Sequence, residues 1–351
     1  MDRVIDPHGQ ILVTGAAGFV GTRVVARLLG MGYSNLRCFI RPSSNAAVLR
    51  RIIETSEGSS RVEVITGNLL SEQDCLAAVK DATVIYHLAA GTGSKSFSDA
   101  FLNSVVTTRN LLEATLRSGC LRRFVSISSL AVYSNRNQTR PGVLDETCPV
   151  EDQPASRGEA YCYAKVKQDE LVVEYGRKHG IPFVLLRPGV VYGPGKRAIT
   201  GRVGIDSFGV FLHLGGRNRI PFTYVDNCAE AIALAGLKTG IDGEVFNIVD
   251  DGLPSSREFL RLYKKNVRRF ISVYVPHALS CFLCYLWERY SSWSEGQLPP
   301  VFSRREWAAY WKCTQYTNEK LKTRVGWVPK VSTERGLQLF FENCRTGQIH
   351  A

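Results

Sequence analysis

Tyr161 and Lys165 stand four residues apart in the run Tyr161-Cys162-Tyr163-Ala164-Lys165, which opens a helical pattern reaching about His179. On a helix that spacing stacks both side chains on one face, so an ammonium can sit near a phenol oxygen or near a group that both touch. The chemistry on offer is acid/base. An unperturbed tyrosine has a pKa of about 10, and a neighbouring cation favours its phenolate, at about 1.4 kcal/mol per unit of depression. Tyr163 and Lys167 repeat the spacing, but the two tyrosines point about 200° apart and cannot share a pocket. Small Ala164 ahead of Lys165 leaves room for close packing, whereas bulky Val166 precedes Lys167, which favours Tyr161 with Lys165.

A hydroxyl donor for the same crevice comes from Ser126-Ile127-Ser128-Ser129-Leu130-Ala131-Val132-Tyr133, at the end of an expected strand over 123–128. The polar loop from Ser134 to Gly158 then separates it from Tyr161, as a substrate-side loop would. A nucleotide site precedes both. Ile11-Leu12-Val13 reads as a short strand, followed by Thr14-Gly15-Ala16-Ala17-Gly18-Phe19-Val20-Gly21 and a helix to about Gly30. Gly15, Gly18 and Gly21 allow a tight turn, close backbone approach to a ligand and close helix–strand packing, while amides at the helix start can hold a pyrophosphate. After a strand over 36–40, Arg41-Pro42-Ser43-Ser44 falls where a dinucleotide fold reads the adenosine ribose. An acid there would accept from the 2′-hydroxyl of NAD; Arg41 suits a 2′-phosphate instead, so NADP is expected ahead of NAD.

The elements that must position these residues alternate: strand 62–65, helix 71–79, strand 84–88, a long helix 98–117 and strand 123–128. This predicts an α/β chain with a Rossmann-type doubly wound parallel sheet and its ligand at the carboxyl ends of the strands. A smaller, mostly helical C-terminal substrate lobe is expected beside it. Asn68 with Leu69, and Ala89 with Ala90, end two of these strands and should line the cofactor; His87 reads as a packed strand-end histidine. The dinucleotide-binding domain is assigned to 1–189, with 222–250 returning to it, and the substrate lobe to 190–221 and 251–345. Later elements are helices over 227–238, 255–266 (with a serine cap) and 332–344, and a strand over 244–249.

The 351 residues suffice for a large core and a lobe, and the net charge of +12 favours anionic partners. No long basic tail or aromatic-interleaved basic motif points to nucleic acid. The ten cysteines are scattered and read as buried thiols; Cys281-x-x-Cys284 is a lone pair inside an apolar helix, and no metal is expected. Met1 to Gln10 is polar, without an apolar signal region, so a cytoplasmic setting is expected. The stretch Phe270 to Trp287 carries no formal charge, and Pro276 divides it into a strand and a helix that starts near His277 and is apolar all round. It is too short to span a bilayer, which needs about twenty residues. Lys264, Lys265, Arg268, Arg269, Arg289, Arg304 and Arg305 flank it. Two readings stand: an interfacial helix meeting an anionic membrane surface, or a buried lobe helix with a solvated charge rim.

Taken together, these motifs resemble an extended short-chain dehydrogenase/reductase, the superfamily that includes the epimerase/dehydratase and 3β-hydroxysteroid dehydrogenase branches. TGAAGFVG, HLAA, SISSLAVY, YCYAK and RPGVVYGP match that family's landmarks in order, and PFTYVDN and Gly326-Trp327 match its later ones. The resemblance implies Ser129, Tyr161 and Lys165 as catalytic residues, with Asp169 as the acidic residue four after the lysine. It also implies that Phe19, Val20, Pro188 and Val190 line the cofactor with the glycines. Asn68 departs from the family's usual aspartate, though its amide oxygen can still accept a hydrogen bond. The implied reaction is hydride transfer at the nicotinamide, with proton transfer by Tyr161, Lys165 holding the ribose hydroxyls and Ser129 holding the substrate oxygen. Sugar-nucleotide members usually carry asparagine where Val190 stands and a phosphate-binding arginine where Ile220 stands. Arg219 is one position off, which in an extended strand turns it to the other face. A bulky apolar alcohol or ketone, of sterol, steroid or terpenoid class, is therefore expected. The alternatives are a nucleotide-sugar epimerase/dehydratase and a non-catalytic NAD(P)-sensing protein. Family members often form homodimers through two helices, and those over 98–117 and 159–179 are the candidates.

Overall fold

The structure, a computed structural model, describes residues 2–56, 61–91, 96–135, 142–294, 297, 303–312 and 314–346. Strand and helix alternate from the start: β1 (Ile11–Thr14), α1 (Gly21–Gly30), β2 (Leu36–Ile40), α2 (Ala47–Thr55), β3 (Glu63–Thr66), α3 (Glu72–Val79) and β4 (Val84–His87). Next come α4 (Phe97–Phe101), α5 (Thr107–Ser118), β5 (Arg123–Ile127), β6 (Gly142–Leu144), α6 (Ala160–His179) and β7 (Phe183–Pro188). The chain continues through β8 (Val190–Tyr192), β9 (Gly204–Ser207), β10 (Val210–His213), β11 (Phe222–Tyr224), α7 (Val225–Leu237) and β12 (Val245–Ile248). Then follow α8 (Ser256–Asn266), β13 (Ser272–Tyr274), α9 (His277–Trp293), α10 (Arg304–Tyr310), β14 (Thr314–Tyr316), α11 (Glu319–Val325) and α12 (Thr333–Thr346).

Seven strands form one parallel sheet in the order β12-β7-β5-β4-β1-β2-β3. β1, β4 and β7 are buried along their whole length, as strands covered on both faces must be. Alternate residues feed two separate cores. Ile11, Val13 and Tyr86 pack with Val24 and Leu28 of α1 and Ile232 of α7, whereas Leu12, Ile85 and Phe124 pack with Leu111 of α5 and Val172 of α6. Strand order reverses at β1, flanked by β4 and β2, so a crevice opens there at the carboxyl ends. α5 and α6 stop at Gly119 (φ 66°) and Gly180 (φ 67°), left-handed caps that cost a glycine little.

The expected long helix over 98–117 is interrupted: Leu102–Val106 forms a π-helical turn between α4 and α5. Thr107 and Thr108 send their hydroxyls back to Asn103 O and Ser104 O, offering the backbone an alternative to a regular ladder. Outside the main sheet, β8 pairs with β11, β14 with β6, and β10 lies between β9 and β13. An aromatic core of Phe222, Phe259, Tyr263, Phe340 and Phe341 holds α8 and α12 against β11. α8 starts at the expected serine cap, Ser255, which exchanges hydrogen bonds with Glu258 in a capping box.

α9 runs to Trp293, beyond the expected segment, and it is not buried all round. Ser280, Cys284 and Ser291 face inward, the first two against Trp307 and Trp311 of the α10 segment, while most of its large apolar side chains are exposed. Among the described residues no helix is long and apolar enough to cross a membrane.

Candidate active site

The glycine loop lies at the carboxyl end of β1, and its glycines are required by space. A Cβ on Gly21 would come 2.1 Å from Gly15 O, and one on Gly15 (φ +69°) would come 2.9 Å from Ala89 N. α1 begins at Val20 without a side-chain cap and with no acid in its first turn, which leaves its amides suited to an anion. This cradle fits a dinucleotide pyrophosphate. Half-buried Phe19 reaches toward the segment after β8, where Lys196 Nζ stands 5.3 Å from its ring centroid. Lys196 was not singled out from sequence, although its place after Gly193-Pro194-Gly195 was the available signal.

Arg41 is exposed at the end of β2, in a turn closed by Ser44 N–H donating to its carbonyl at 2.9 Å. Asn68 does not present a free amide oxygen: Oδ1 accepts from Leu70 N–H at 3.0 Å, and Asp74 Oδ2 accepts from Asn68 N–H at 2.7 Å. The Asp74 carboxylate is thus taken up by the backbone of this turn. Leu69 is buried; Ala89 and Ala90, half-buried, follow β4, and Pro188 and Val190 lie at the carboxyl end of β7 and the start of β8.

Ser129 and Tyr161 are brought together across the crevice. Ser129 Oγ accepts from Ala131 N–H at 3.1 Å, which leaves its hydroxyl hydrogen available for the phenol. The expected depression of the phenol is reversed: burial pushes Tyr161 up to about 12, with the Ser129 hydroxyl pulling the other way. The reason is where the lysine points. Lys165 Nζ donates to Ile127 O at 2.6 Å and to Gln168 Oε1 at 2.8 Å, so the cation faces the sheet. Burial lowers Lys165 to about 8, opposed by Asp169. Tyr163, the rejected alternative, packs edge-on against Phe97 at 5.3 Å, and Lys167 pairs with Glu170 at the surface.

Beneath the lysine runs a buried polar chain that sequence reasoning missed. Gln168 Nε2 donates to Thr108 Oγ1 at 2.7 Å, Thr108 Oγ1 meets His87 Nε2 at 2.8 Å, and His87 Nδ1 meets Thr14 Oγ1 at 2.8 Å. Thr108 spends its hydrogen on Ser104 O, so His87 must carry its proton on Nε2 and accept at Nδ1 from Thr14. Thr14 Oγ1 in turn accepts from Ala89 N–H at 3.3 Å, which ties the chain to the cofactor end of β4. Burial, with Lys165 nearby, pushes His87 down to about 3, so it is neutral and fixed as the packed histidine expected.

Asp169 joins three elements. Its Oδ2 accepts from Ser128 Oγ at 2.9 Å and from Arg187 Nε and Nη2 at 3.2 and 3.0 Å, all buried, while Oδ1 has no partner. Burial raises this carboxyl and Arg187 opposes the shift. On the lobe side, buried Arg157 pairs with Glu159 at 2.9 Å, and Tyr310 Oη donates to Glu159 at 2.5 Å. Glu159 is the N-cap residue of α6, so this cluster anchors the start of the Tyr161 helix to α10.

Ile220 is fully buried in the aromatic lobe core. Arg219 turns outward, donating to Leu253 O at 2.8 Å and pairing with Glu258 at 3.4 Å, with half its side chain exposed. The one-residue offset therefore has the expected effect. Cys281 and Cys284 are free thiols, the latter pushed up to about 12 by burial.

Among known proteins, the chain is 29% identical over 262 residues to a trifunctional UDP-glucose 4,6-dehydratase/UDP-4-keto-6-deoxy-D-glucose 3,5-epimerase/UDP-4-keto-L-rhamnose-reductase of Arabidopsis thaliana. That match covers 71% of this chain but only 38% of the plant protein. A 3 beta-hydroxysteroid dehydrogenase/Delta 5-->4-isomerase of Mycobacterium tuberculosis is 30% identical over 247 residues, 67% of this chain and 62% of that protein. The fold is that of UDP-glucuronic acid 4-epimerase from Bacillus cereus, solved with UDP-glucuronic acid and NAD: TM-score 0.70, 24% identity, covering 97% of this chain and 100% of that one. Residues 11–249, from β1 through the end of β12, match a single family model, so the glycine cradle, Ser129, Tyr161 and Lys165 all fall within it. The chain belongs to the NAD dependent epimerase/dehydratase family.

Proposed function

We propose that this member is a dehydrogenase/reductase that transfers a hydride between a nicotinamide dinucleotide and a hydroxyl or ketone of a bulky apolar substrate of sterol, steroid or terpenoid class. The observation that carries this reading is the pair Ile220 and Arg219: the first is fully buried and the second faces away, spent on Leu253 and Glu258. A diphosphate desolvated in the crevice would need a cation at the position of Ile220, and with Arg219 turned away its burial is costly. The resemblance to the 3 beta-hydroxysteroid enzyme supports the same substrate class.

A bound nicotinamide supplies the hydride donor or acceptor. The chain supplies the rest. The amides at the start of α1 bind the pyrophosphate, and Arg41 favours a 2′-phosphate, hence NADP over NAD. Ser129 holds the substrate oxygen, and Tyr161 moves its proton. With its pKa near 12, the phenol is protonated at neutral pH and set to deliver that proton to a carbonyl oxygen. Lys165, whose ammonium is held by Ile127 O and Gln168 with Asp169 nearby, would have to turn from these partners to reach the ribose hydroxyls and the phenolate, the role that the family resemblance gives it.

A nucleotide-sugar reaction is the second reading, favoured by the names of the plant relative and of the Bacillus cereus enzyme. Nicotinamide absorbance separates the two, using purified protein with NAD and NADP, a panel of apolar ring alcohols and ketones in detergent, and a panel of nucleotide sugars. Turnover of the apolar panel supports the proposal. Turnover of nucleotide sugars alone, or sugar conversion without net cofactor reduction, refutes it.

A further inference from the structure

α9 is an amphipathic helix turned inside out. Leu279, Phe282, Leu283, Leu286, Tyr290 and Trp293 are between 45% and 78% exposed. At 3.6 residues per turn these six fall within about 60° of one line, a stripe about 20 Å long. The buried side of the helix carries Ser280, Cys284 and Ser291. A surface helix of a globular protein places its apolar residues the other way, so this stripe is built to meet something apolar.

The charge of the flanking sequence points to what that is. Between Lys264 and Trp293 the chain has five cations and a single carboxylate, Glu288. Glu288 is already paired with Arg304 at 2.7 Å. Lys265, Arg268, Arg269 and Arg289 are exposed, and none forms an ion pair with a carboxylate among the described residues. A second copy of the chain is a poor occupant, because a two-fold interface would set this basic rim against itself. An acidic lipid surface meets both demands. It accepts a convex apolar stripe without shape complementarity, attracts Lys and Arg at about 1 kcal/mol each, and favours Tyr and Trp at its headgroup level.

We propose that the face formed by α9 and the basic segment 265–269 docks the protein on an anionic membrane surface, with α9 lying in the interface plane. This proposal goes beyond the substrate reading and stands whichever substrate panel turns over.

Flotation of the full chain with vesicles tests it, using phosphatidylcholine alone and phosphatidylcholine with about 30 mol% phosphatidylserine. The wild type is expected to float with the anionic vesicles and to be released at about 0.5 M salt. Leu283→Ser with Leu286→Ser should lower the bound fraction at least about tenfold, and Arg268→Gln with Arg269→Gln on the order of tenfold. Because all four positions are exposed, far-UV circular dichroism and nicotinamide turnover in solution should match the wild type. Failure of the wild type to float, equal binding to both vesicle types, or unchanged binding by the leucine variant overturns the proposal. So does a wild-type dimer, by light scattering, that becomes monomeric in the leucine variant; the stripe would then be a self-interface.

Discussion

Replacing Arg187 by leucine should destabilise the protein strongly at neutral pH and much less in mild acid. The substitution removes two donors to Asp169 Oδ2, at 3.2 and 3.0 Å, and leaves only the Ser128 hydroxyl at 2.9 Å. Both partners are more than 90% buried, so the carboxylate cannot recruit water in place of the guanidinium. Breaking one side of such a pair costs about 3–5 kcal/mol. Protonation sets a ceiling: keeping an aspartate neutral at pH 7, against a reference value of about 3.9, costs about 4 kcal/mol. Lys165 also faces Asp169 and trims the penalty, which places the expected loss near 3–4 kcal/mol. The sign of its pH dependence follows. Burial already raises the Asp169 carboxyl, and loss of Arg187 raises it further above its unfolded value, so the folded variant holds a proton that the unfolded chain releases. The deficit should shrink by about 1.4 kcal/mol for each unit the pH falls from 7 toward 5. Urea unfolding followed by circular dichroism at pH 7 and pH 5 measures this, and Arg187→Leu combined with Asp169→Leu should recover most of the loss. A loss under about 1 kcal/mol at pH 7, equal losses at both pH values, or a double variant less stable than the single would refute the reasoning.

Three further outcomes are expected. Tyr161→Phe should lower turnover at least about a hundredfold while cofactor affinity, read by fluorescence titration, is unchanged; Tyr163→Phe should stay close to wild type, and the reverse pattern would mean the wrong tyrosine had been chosen. Gln168→Leu removes a charge-assisted acceptor from the Lys165 ammonium, so the lysine limb of the pH profile of kcat/KM should move down from about 8, whereas Gln168→Glu should move it up. Gly21→Ala should abolish cofactor binding in calorimetry because its Cβ would meet Gly15 O at 2.1 Å, while Gly30→Ala, with nothing within 4 Å, should bind normally. Gly30→Ala, at the last residue of α1, should also raise stability by roughly 0.4–1 kcal/mol, because an alanine fits there without strain and restricts the unfolded chain.

Much of the fold was legible in the amino-acid order because its signals are local. The apolar runs of β1, β4 and β7, the glycine spacing before α1 and the serine cap of α8 each act over a few residues, so they can be read without knowing what lies opposite. The choice of Tyr161 over Tyr163 was equally local, resting on helix geometry and on Ala164. The opposite facing of Ile220 and Arg219 was expected from strand alternation, but both precede β11, and their directions are fixed by the lobe core on one side and by Leu253 and Glu258 on the other.

What only the tertiary structure decided depends on distant partners. The chain from Lys165 through Gln168, Thr108 and His87 to Thr14 draws on four separate elements, and no spacing in the sequence announces it. The Tyr161 phenol was expected to be lowered by its lysine; burial raises it, because Lys165 is turned to Ile127 O and Gln168. The sequence of α9 reads as apolar all round, and such a pattern does not say which side faces the core. The inward side was decided by packing, since small Ser280 and Cys284 let the helix approach Trp307 and Trp311 closely. Patterns along a chain determine which residues share a face; burial, and therefore charge state and exposure, is determined by everything packed around that face.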